Sequence, residues 1–406
     1  MSETIKTGTI GTGALLTTNV KPDIDKFLKL LEPYNRPLLN FLLLSKRKSK
    51  PVYSQYAKFE WFEKHFMPRS TTVSAAIALT GITLVLTSSN VAQKEIFGLY
   101  DIVIIEETSE MAYVSSVIAG GGSDVVLTHM DGTTTLTALT STSNNIRIIG
   151  KRVFEYAGRT DYKTTQEVNV YNYLNEFREF VSTSGRAEAG EAYTDGLSHD
   201  ERVEQRIKEL QLQIETYFFF ANARGYATSG NTRTTWGYGL DGYLTTNVKS
   251  YSGALTEPAW RNYLKPVMKS GSKSGSANNK IHFANSDQMD EIETIMKDYY
   301  QLIQTPKDIS LFNEFGASVK TYRMYSGTVS LVWDPVLDDM TNAGGYTLDE
   351  ANITLRHMAP DKKGSRKFRV RTNTQNNDVD GTETEILFDL GLQCEHETTH
   401  GKLYKV

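Results

Sequence analysis

The chain has 406 residues, beyond the ~100–200 of one compact domain, so two to three folding units are expected. Charged residues make up 23% and apolar residues 39%, with 17 Phe, 22 Tyr and 4 Trp, which excludes a disordered acidic chain and a collagen-like or mucin-like one. The 44 Lys and Arg against 48 Asp and Glu leave a net charge of −4, so no global basic field draws the protein to nucleic acid or to an anionic membrane, and any DNA contact must be local.

The single cysteine, Cys394, excludes an intrachain disulfide framework and a four-thiolate zinc site, and suits a reducing compartment. The densest apolar run, Leu38 to Leu44, falls far short of the ~20 residues that span a bilayer. The basic cluster Lys46-Arg47-Lys48 with Lys50 follows that run, the wrong order for a signal peptide. A protein made and used without secretion, with no membrane partner, is the expectation.

Residues 1–20 show neither helical nor strand period and read as an extended arm. Pro22 and Asp23 open a short helix with Ile24, Phe27, Leu28 and Leu31 on one side, ended by Pro33. From Val52 the chain turns extended and aromatic through Phe59-Glu60-Trp61-Phe62. Residues 80–150 then hold short β-like runs at 82–86, 101–105, 111–118, 124–128 and 147–149, separated by turn signals such as Gly120-Gly121-Gly122 and Asp131-Gly132. Strands at that spacing predict a small β-barrel or sandwich. Residues 151–184 are extended again, with Tyr171, Tyr173, Phe177 and Phe180 among polar residues. The simplest geometry is a long hairpin, its legs at ~52–72 and ~151–182, with the β module inserted towards its far end. Such legs expose backbone and need a neighbour.

Ser198 with Glu201 forms a capping box, in which the serine oxygen accepts an amide of the first turn and the glutamate returns to the cap amide. The helix that starts there places Val203, Ile207, Leu210, Ile214, Tyr217 and Ala221 on one stripe until Gly225. A helix over 199–223 would be roughly 37 Å long, a spine for a whole domain. Thr256 caps a helix carrying Trp260, Tyr263, Leu264 and Val267; 271–279 is a Gly/Ser/Asn loop; 280–284 is strand-like. Ser286 caps a second helix with Met289, Ile292, Ile295, Met296, Tyr299 and Leu302, ended by Pro306. From Thr328 onward the pattern is mostly β, with a basic strand at 366–371 and a polar loop at 373–380. No tandem repeat is present.

Several motifs suggest chemistry. His396-Glu397-Thr398-Thr399-His400 matches the zincin pattern, which needs a helix to bring both imidazoles to one metal. Here the paired threonines and Gly401 favour a strand, where the two histidines would lie ~13 Å apart. Gly237-Tyr238-Gly239-Leu240-Asp241-Gly242 matches the dinucleotide fingerprint but lacks the strand before and the helix after, so it reads as a glycine-rich turn. The basic cluster at 46–50 and the basic strand at 366–371 suit phosphate contacts, the strand because alternate cations form a directed row. The aromatics at 171–180 suit either base stacking or packing on a neighbouring chain. No catalytic, cofactor-binding or metal-ligating residue is assigned, and no cofactor is expected.

In this order the parts resemble the major capsid protein of tailed bacteriophages, the Hong Kong phage-type fold, in the family with a β module inserted in its hairpin. Phe59-Glu60-Trp61 is similar to that family's first leg, and Asn172-Tyr173 through Val181-Ser182-Thr183-Ser184-Gly185 to its second. Gly239-Leu240-Asp241-Gly242-Tyr243-Leu244 resembles the entry to the axial domain, and His400-Gly401-Lys402-Leu403 the closing strand. Leu174-Asn175 stands where the family has a Thr-Gln pair, and the 271–279 loop is longer.

The resemblance implies an α+β capsid fold. It has an N-terminal arm and short helix (1–50), an extended hairpin (51–79 and 151–184) and an inserted β domain (80–150). A peripheral domain with the spine helix (185–225 and 328–406) and an axial domain (226–327) complete it. It also implies a non-enzymatic major capsid protein that assembles with itself, as hexamers and pentamers, into the icosahedral shell around the double-stranded DNA of a tailed phage. The expected place is the virion, after assembly in the host cytoplasm, with portal, scaffolding or decoration proteins as partners and packaged DNA met through local basic patches. The alternatives are a phage tail or baseplate protein, from the β content, and a zinc metallopeptidase, from residues 396–400.

Overall fold

The computed structural model describes residues 36–44, 53–117, 124–140, 145–153, 155, 164–190, 198–270, 279–297, 319–340, 344–362 and 364–406. The arm at 1–20, the helix expected from Pro22, the 46–50 cluster, loop residues 271–278, Tyr299 and Leu302 lie outside them. The chain divides into two compact units, one of residues 62–170 and one of 1–61 with 171–406.

The first unit is a seven-stranded antiparallel sheet. Its order is Ser70–Thr72, Asn145–Lys151, Asp101–Ile105, Met111–Val117, Val125–His129, Thr83–Leu86 and Leu79–Thr80. Alternate residues of these strands, including Leu84, Leu86, Val103, Ile105, Ala112, Val114, Leu127 and Ile146, point into a core drawn wholly from 73–146. The ladders form an open path: among the described residues none joins 70–72 to 79–80, as a closed barrel would require. Single bridges, Val73 to Val91 and Ile77 to Leu139, fasten that side instead.

The second unit holds two larger sheets. In the five-stranded one, the long strand Gly381–Cys394 runs between Asn175–Ser184 on one side and Ile353–Met358 with Arg369–Thr372 on the other; Tyr53–Ser54 pairs parallel with Ile353–Met358. This corrects the hairpin. Only Val168–Tyr173 pairs with the first leg, Lys58–Glu63, while residues 175–184 leave to join the sheet. The cause is packing: Phe177 meets Tyr217 and Phe218 of the spine helix at ring separations of 5.3 and 6.5 Å, and Val181 packs on the same core.

The spine helix runs His199–Phe220, about 33 Å, and both bonds of its capping box are made. It stops at Phe220, short of the expected 223, because the Ala221 carbonyl accepts the amide of Gly239 and Gly225–Ser229 begins a strand. Val203, Leu210, Ile214, Phe218 and Phe219 are buried, and Ile207 and Tyr217 are half-buried. The apolar face is wider than one stripe because helix Pro37–Leu44, made from the dense apolar run, also packs on it through Leu38, Leu39, Phe41 and Leu42.

The six-stranded sheet has the order Val248–Tyr251, Gly401–Lys405, Gly345–Leu348, Asn279–Ala284, Gly327–Trp333 and Val319–Met324. Helices Glu257–Lys269 and Ser286–Lys297 supply Trp260, Tyr263, Leu264, Val267, Met289 and Ile292 to its core. The division expected at 327/328 is therefore not observed, since three strands beyond it belong to this sheet. Burial explains why: Gly345–Leu348 is buried at all four positions between two neighbours. Helix starts also differ in detail. Asn285 caps the second helix by accepting the Gln288 amide at 3.1 Å, with Ser286 already inside it. Thr256 flanks the first without a side-chain cap bond. No helix among the described residues is long and apolar enough to cross a membrane.

Candidate assembly surfaces

Two narrow β ribbons have two strands each, with no third strand paired to them among the described residues. The first is the pair Lys58–Glu63 and Val168–Tyr173. The period of two turns Phe59 and Trp61 inward, stacked at 5.9 Å, with Trp61 near Tyr243 and Arg356 over Phe59. The same alternation turns Phe62 outward, 70% exposed, and Phe66 beyond the strand is fully exposed. The second ribbon is the hairpin Gly225–Ser229 with Thr232–Trp236, registered Gly225 to Trp236. Most of its residues are exposed, including Tyr226, on which Arg233 stacks at 4.0 Å, and Trp236.

Two-stranded ribbons are marginal alone, and their free amides and carbonyls are templates for another chain. Further exposed apolar groups sit on the sheets: Phe180 and Phe368 on the five-stranded sheet, Tyr325 and Trp333 on the six-stranded one. In the inserted unit an open cavity of 640 Å³ lies beside Phe66, lined also by Met67, Arg69, Ile96 and Ile149. Exposed aromatics at these positions are not distinguishable in sequence from core aromatics, except at Phe62, where alternation with Phe59 and Trp61 is the readable signal.

The chemical motifs are absorbed into structure. His396 has a left-handed backbone (φ 51°), and Glu397–Thr399 form a 3-10 turn, so neither the zincin helix nor the expected strand is present. His400 is fully buried. Its Nδ1 accepts the Asp349 amide at 3.1 Å and its Nε2 lies 3.3 Å from the Glu395 carbonyl. Burial, with Lys280 nearby, pulls its pKa down to about 4, so the ring is neutral at physiological pH. Glu397 accepts the amides and hydroxyls of Thr245 and Thr246, the hydroxyl contacts at 2.9 and 3.1 Å, and so ties down the turn before Val248–Tyr251.

The glycines at 237 and 239 serve close approach. A Cβ would fall 2.2 Å from the Tyr173 carbonyl oxygen at the first and 2.5 Å from that of Phe218 at the second. Only the single turn Leu240–Tyr243 follows, and Asp241 is held by Lys402 and the Tyr346 hydroxyl, each at 2.7 Å.

The basic strand is not a free cationic row. Glu385, buried, is gripped by Arg178 at 2.6 Å and Arg371 at 3.1 Å; Arg369 pairs with Asp361 and Arg366 with Asp389, both at 2.9 Å. Nor do the aromatics at 171–180 make one platform: Tyr171 lies between Arg224 and Lys58, Tyr173 is buried, Phe177 packs on the spine helix, and Phe180, although exposed, has Arg178 stacked on one face.

No curated protein matches the chain. Solved structures similar to it include the capsid of a native GTA particle (11% identity, TM-score 0.47, covering 98% of this chain and 99% of that one). Microbacterium phage Oxtober96 is similar at 10% identity and a TM-score of 0.46, over 98% of this chain and 100% of that one. The SrpI encapsulin of Synechococcus elongatus PCC 7942 is similar at 12% identity and a TM-score of 0.39, over 60% and 77%. The family profile described as SU10 major capsid protein matches residues 5–406. The chain thus belongs to the SU10 major capsid protein family, and it is a structural protein of a tailed-phage capsid.

Proposed function

We propose that this capsid protein builds a closed icosahedral shell of hexamers and pentamers around packaged double-stranded DNA, with the two exposed ribbons as contacts between subunits. What supports this is the ribbons themselves, each of only two strands, with Phe62, Tyr226 and Trp236 turned outward and exposed among the described residues. In capsid terms, residues 51–79 with 151–173 are the reaching hairpin and 80–150 the inserted domain. The spine helix with the five-stranded sheet is the peripheral domain, the six-stranded sheet with its helices the axial domain, and 1–35 the arm. The protein is structural and assigned no catalytic, metal or cofactor residue. Portal, scaffolding or decoration proteins join it during assembly in the host cytoplasm. DNA is met through the 46–50 cluster, since the arginines of 366–371 are already paired with carboxylates.

Electron microscopy and sedimentation of the purified chain test this. Wild type is expected to give capsomers or shells, and Phe62→Ser with Trp236→Ser to shift the population towards subunits while leaving the thermal transition in place. A 45.6 kDa monomer across salt and concentration, with scaffold supplied, would sink the proposal, and open tubes would move the protein to the tail.

A further inference from the structure

Two acidic side chains from distant parts of the chain meet beneath helix Pro37–Leu44. Glu215 lies on the spine helix and Asp334 opens the 3-10 turn Pro335–Leu337, and neither is accessible to solvent. Glu215 Oε1 accepts the amides of Leu38 at 2.7 Å and Leu39 at 3.3 Å, in the first turn of the helix. Asp334 Oδ1 accepts the Val336 amide at 3.1 Å. The other two oxygens, Glu215 Oε2 and Asp334 Oδ2, are buried and have no hydrogen-bond partner among the described residues; the Leu38 amide also acts on Asp334, and the two carboxyl groups are within hydrogen-bonding reach of each other.

Among the described residues the surroundings supply no counter-charge. Helix Pro37–Leu44 carries no acidic or basic side chain, and the strand Gly327–Trp333 adds none. Arg36 is held by Gln211 and the Lys208 carbonyl. On strand Asn279–Ala284, Lys280 is paired with Asp349, and His282 is bonded to Thr347 and Gln288. Asp338, bonded to Ser286 and Trp333, adds a further negative charge near Asp334. Two ionised carboxylates in contact at such a site repel strongly, whereas one hydrogen between them satisfies both orphan oxygens.

We propose that Glu215 and Asp334 share one proton and form a latch for helix Pro37–Leu44: with the proton bound the helix is docked on the spine helix, and loss of the proton releases it. In the latched state the pair carries a single negative charge, placed against the amides of the helix's first turn, where it is favourable. When base removes the proton, two negative charges remain in a dry site; water enters and the helix departs, uncovering Leu38, Leu39, Phe41 and Leu42. Burial raises both carboxyls above their ordinary range, Asp334 to about 7. For carboxyls raised in this way the contribution is complete in acid, below the unfolded range, and is lost as pH rises through the folded value.

The test is hydrogen exchange of the full chain, read at residues 38–42 from about pH 4.5 to about pH 8.5, a span that brackets the range between the ordinary and folded carboxyl values, and corrected for intrinsic rates, in wild type, Glu215→Gln and Asp334→Asn. Wild-type protection there is expected to fall by up to about tenfold per pH unit as pH rises from the ordinary carboxyl range to the folded value, and to level off above it. Glu215→Gln should be flat, because its carbonyl takes the Leu38 and Leu39 amides and its amide group donates to Asp334. Asp334→Asn should be flat for the mirror-image reason, and either variant suffices if the other does not fold. The infrared absorption of a protonated carboxyl, present in wild type near neutral pH and lost in alkali, reads the proton directly. Unchanged wild-type protection across the range, the same fall in the variants, or no protonated carboxyl at neutral pH would each overturn the latch.

Discussion

Lys280 and Asp349 form a 2.7 Å ion pair that solvent does not reach at either end. The ammonium also donates to the Thr399 carbonyl at 3.0 Å, and the carboxylate accepts the Ala351 amide at 3.0 Å and the Asn352 side chain at 3.3 Å. The pair thus ties strand Asn279–Ala284 to the turns at 350–352 and 397–399. Lys280→Met or Asp349→Leu alone strands a buried charge and should cost about 3–5 kcal/mol, while the double substitution should recover most of that loss. Denaturant midpoints of the three variants check this; additive losses would mean that the charges do not act as a pair.

As the medium is acidified below about pH 6.5, the buried histidines should take stability from the fold, opposing the gain from the Glu215–Asp334 pair over the same range. His282 is fully buried, its Nδ1 bonded to the Thr347 hydroxyl at 2.8 Å and its Nε2 to Gln288 at 3.2 Å, and burial pulls its pKa to about 4. In the unfolded chain the ring binds a proton at its ordinary value, whereas the folded chain resists until near 4, so acid favours unfolding throughout that window. The loss is on the order of 3 kcal/mol for this histidine, and His400 acts in the same direction. A pH series of unfolding midpoints in wild type and His282→Gln reads this group by difference: the variant should gain on wild type as pH falls from about 6.5 to about 4, and parallel curves would show that His282 does not resist protonation.

Glu397 should prove structural. Glu397→Ala removes the acceptor of four groups on Thr245 and Thr246 and should lower stability by about 1–3 kcal/mol, with zinc content and peptide hydrolysis the same as in wild type. An activity in wild type that vanishes in this variant would restore the peptidase reading.

Residues 62–170, excised, should fold alone, since every buried member of their core lies within 73–146. A dispersed amide spectrum is the expected outcome; a collapsed one would show that the sheet depends on the rest of the chain.

Local signals were legible where one residue acts on its near neighbours. Ser198 and Glu201 mark the start of the spine helix because both cap bonds close within three residues, and the strands at 83–86, 101–105 and 111–117 follow from alternation bounded by turns. Partner choice was not legible. The extended residues 175–184 look the same whether they pair with the first hairpin leg or with Gly381–Cys394, and side-chain packing on Phe218 decides. Buried charge left no trace either: Glu215 sits one position from Ile214 on a helix rich in exposed glutamate, and its partner Asp334 lies far along the chain. Arginines 366, 369 and 371 read as a cationic row because Asp389, Asp361 and Glu385 are brought to them only by the sheet.

In the six-stranded sheet, Val248 pairs with Lys402, a contact that closes only after 402 − 248 = 154 further residues have been made. During synthesis, strands Val248–Tyr251 and Gly345–Leu348 therefore both wait for the strand that will lie between them. At ribosomal speeds of about 5–20 residues per second that wait lasts roughly 8–30 s for the first of them, long compared with the formation of any hairpin. The inserted sheet, whose pairings all fall within 70–151, is under no such delay and is complete before residue 248 emerges. The subunit is thus made in a fixed temporal order: both exposed ribbons are complete by residue 236, whereas the six-stranded sheet gains an interior strand only when the stretch from Gly401 arrives, so a chain cut short before that point carries the ribbons on an unfinished sheet.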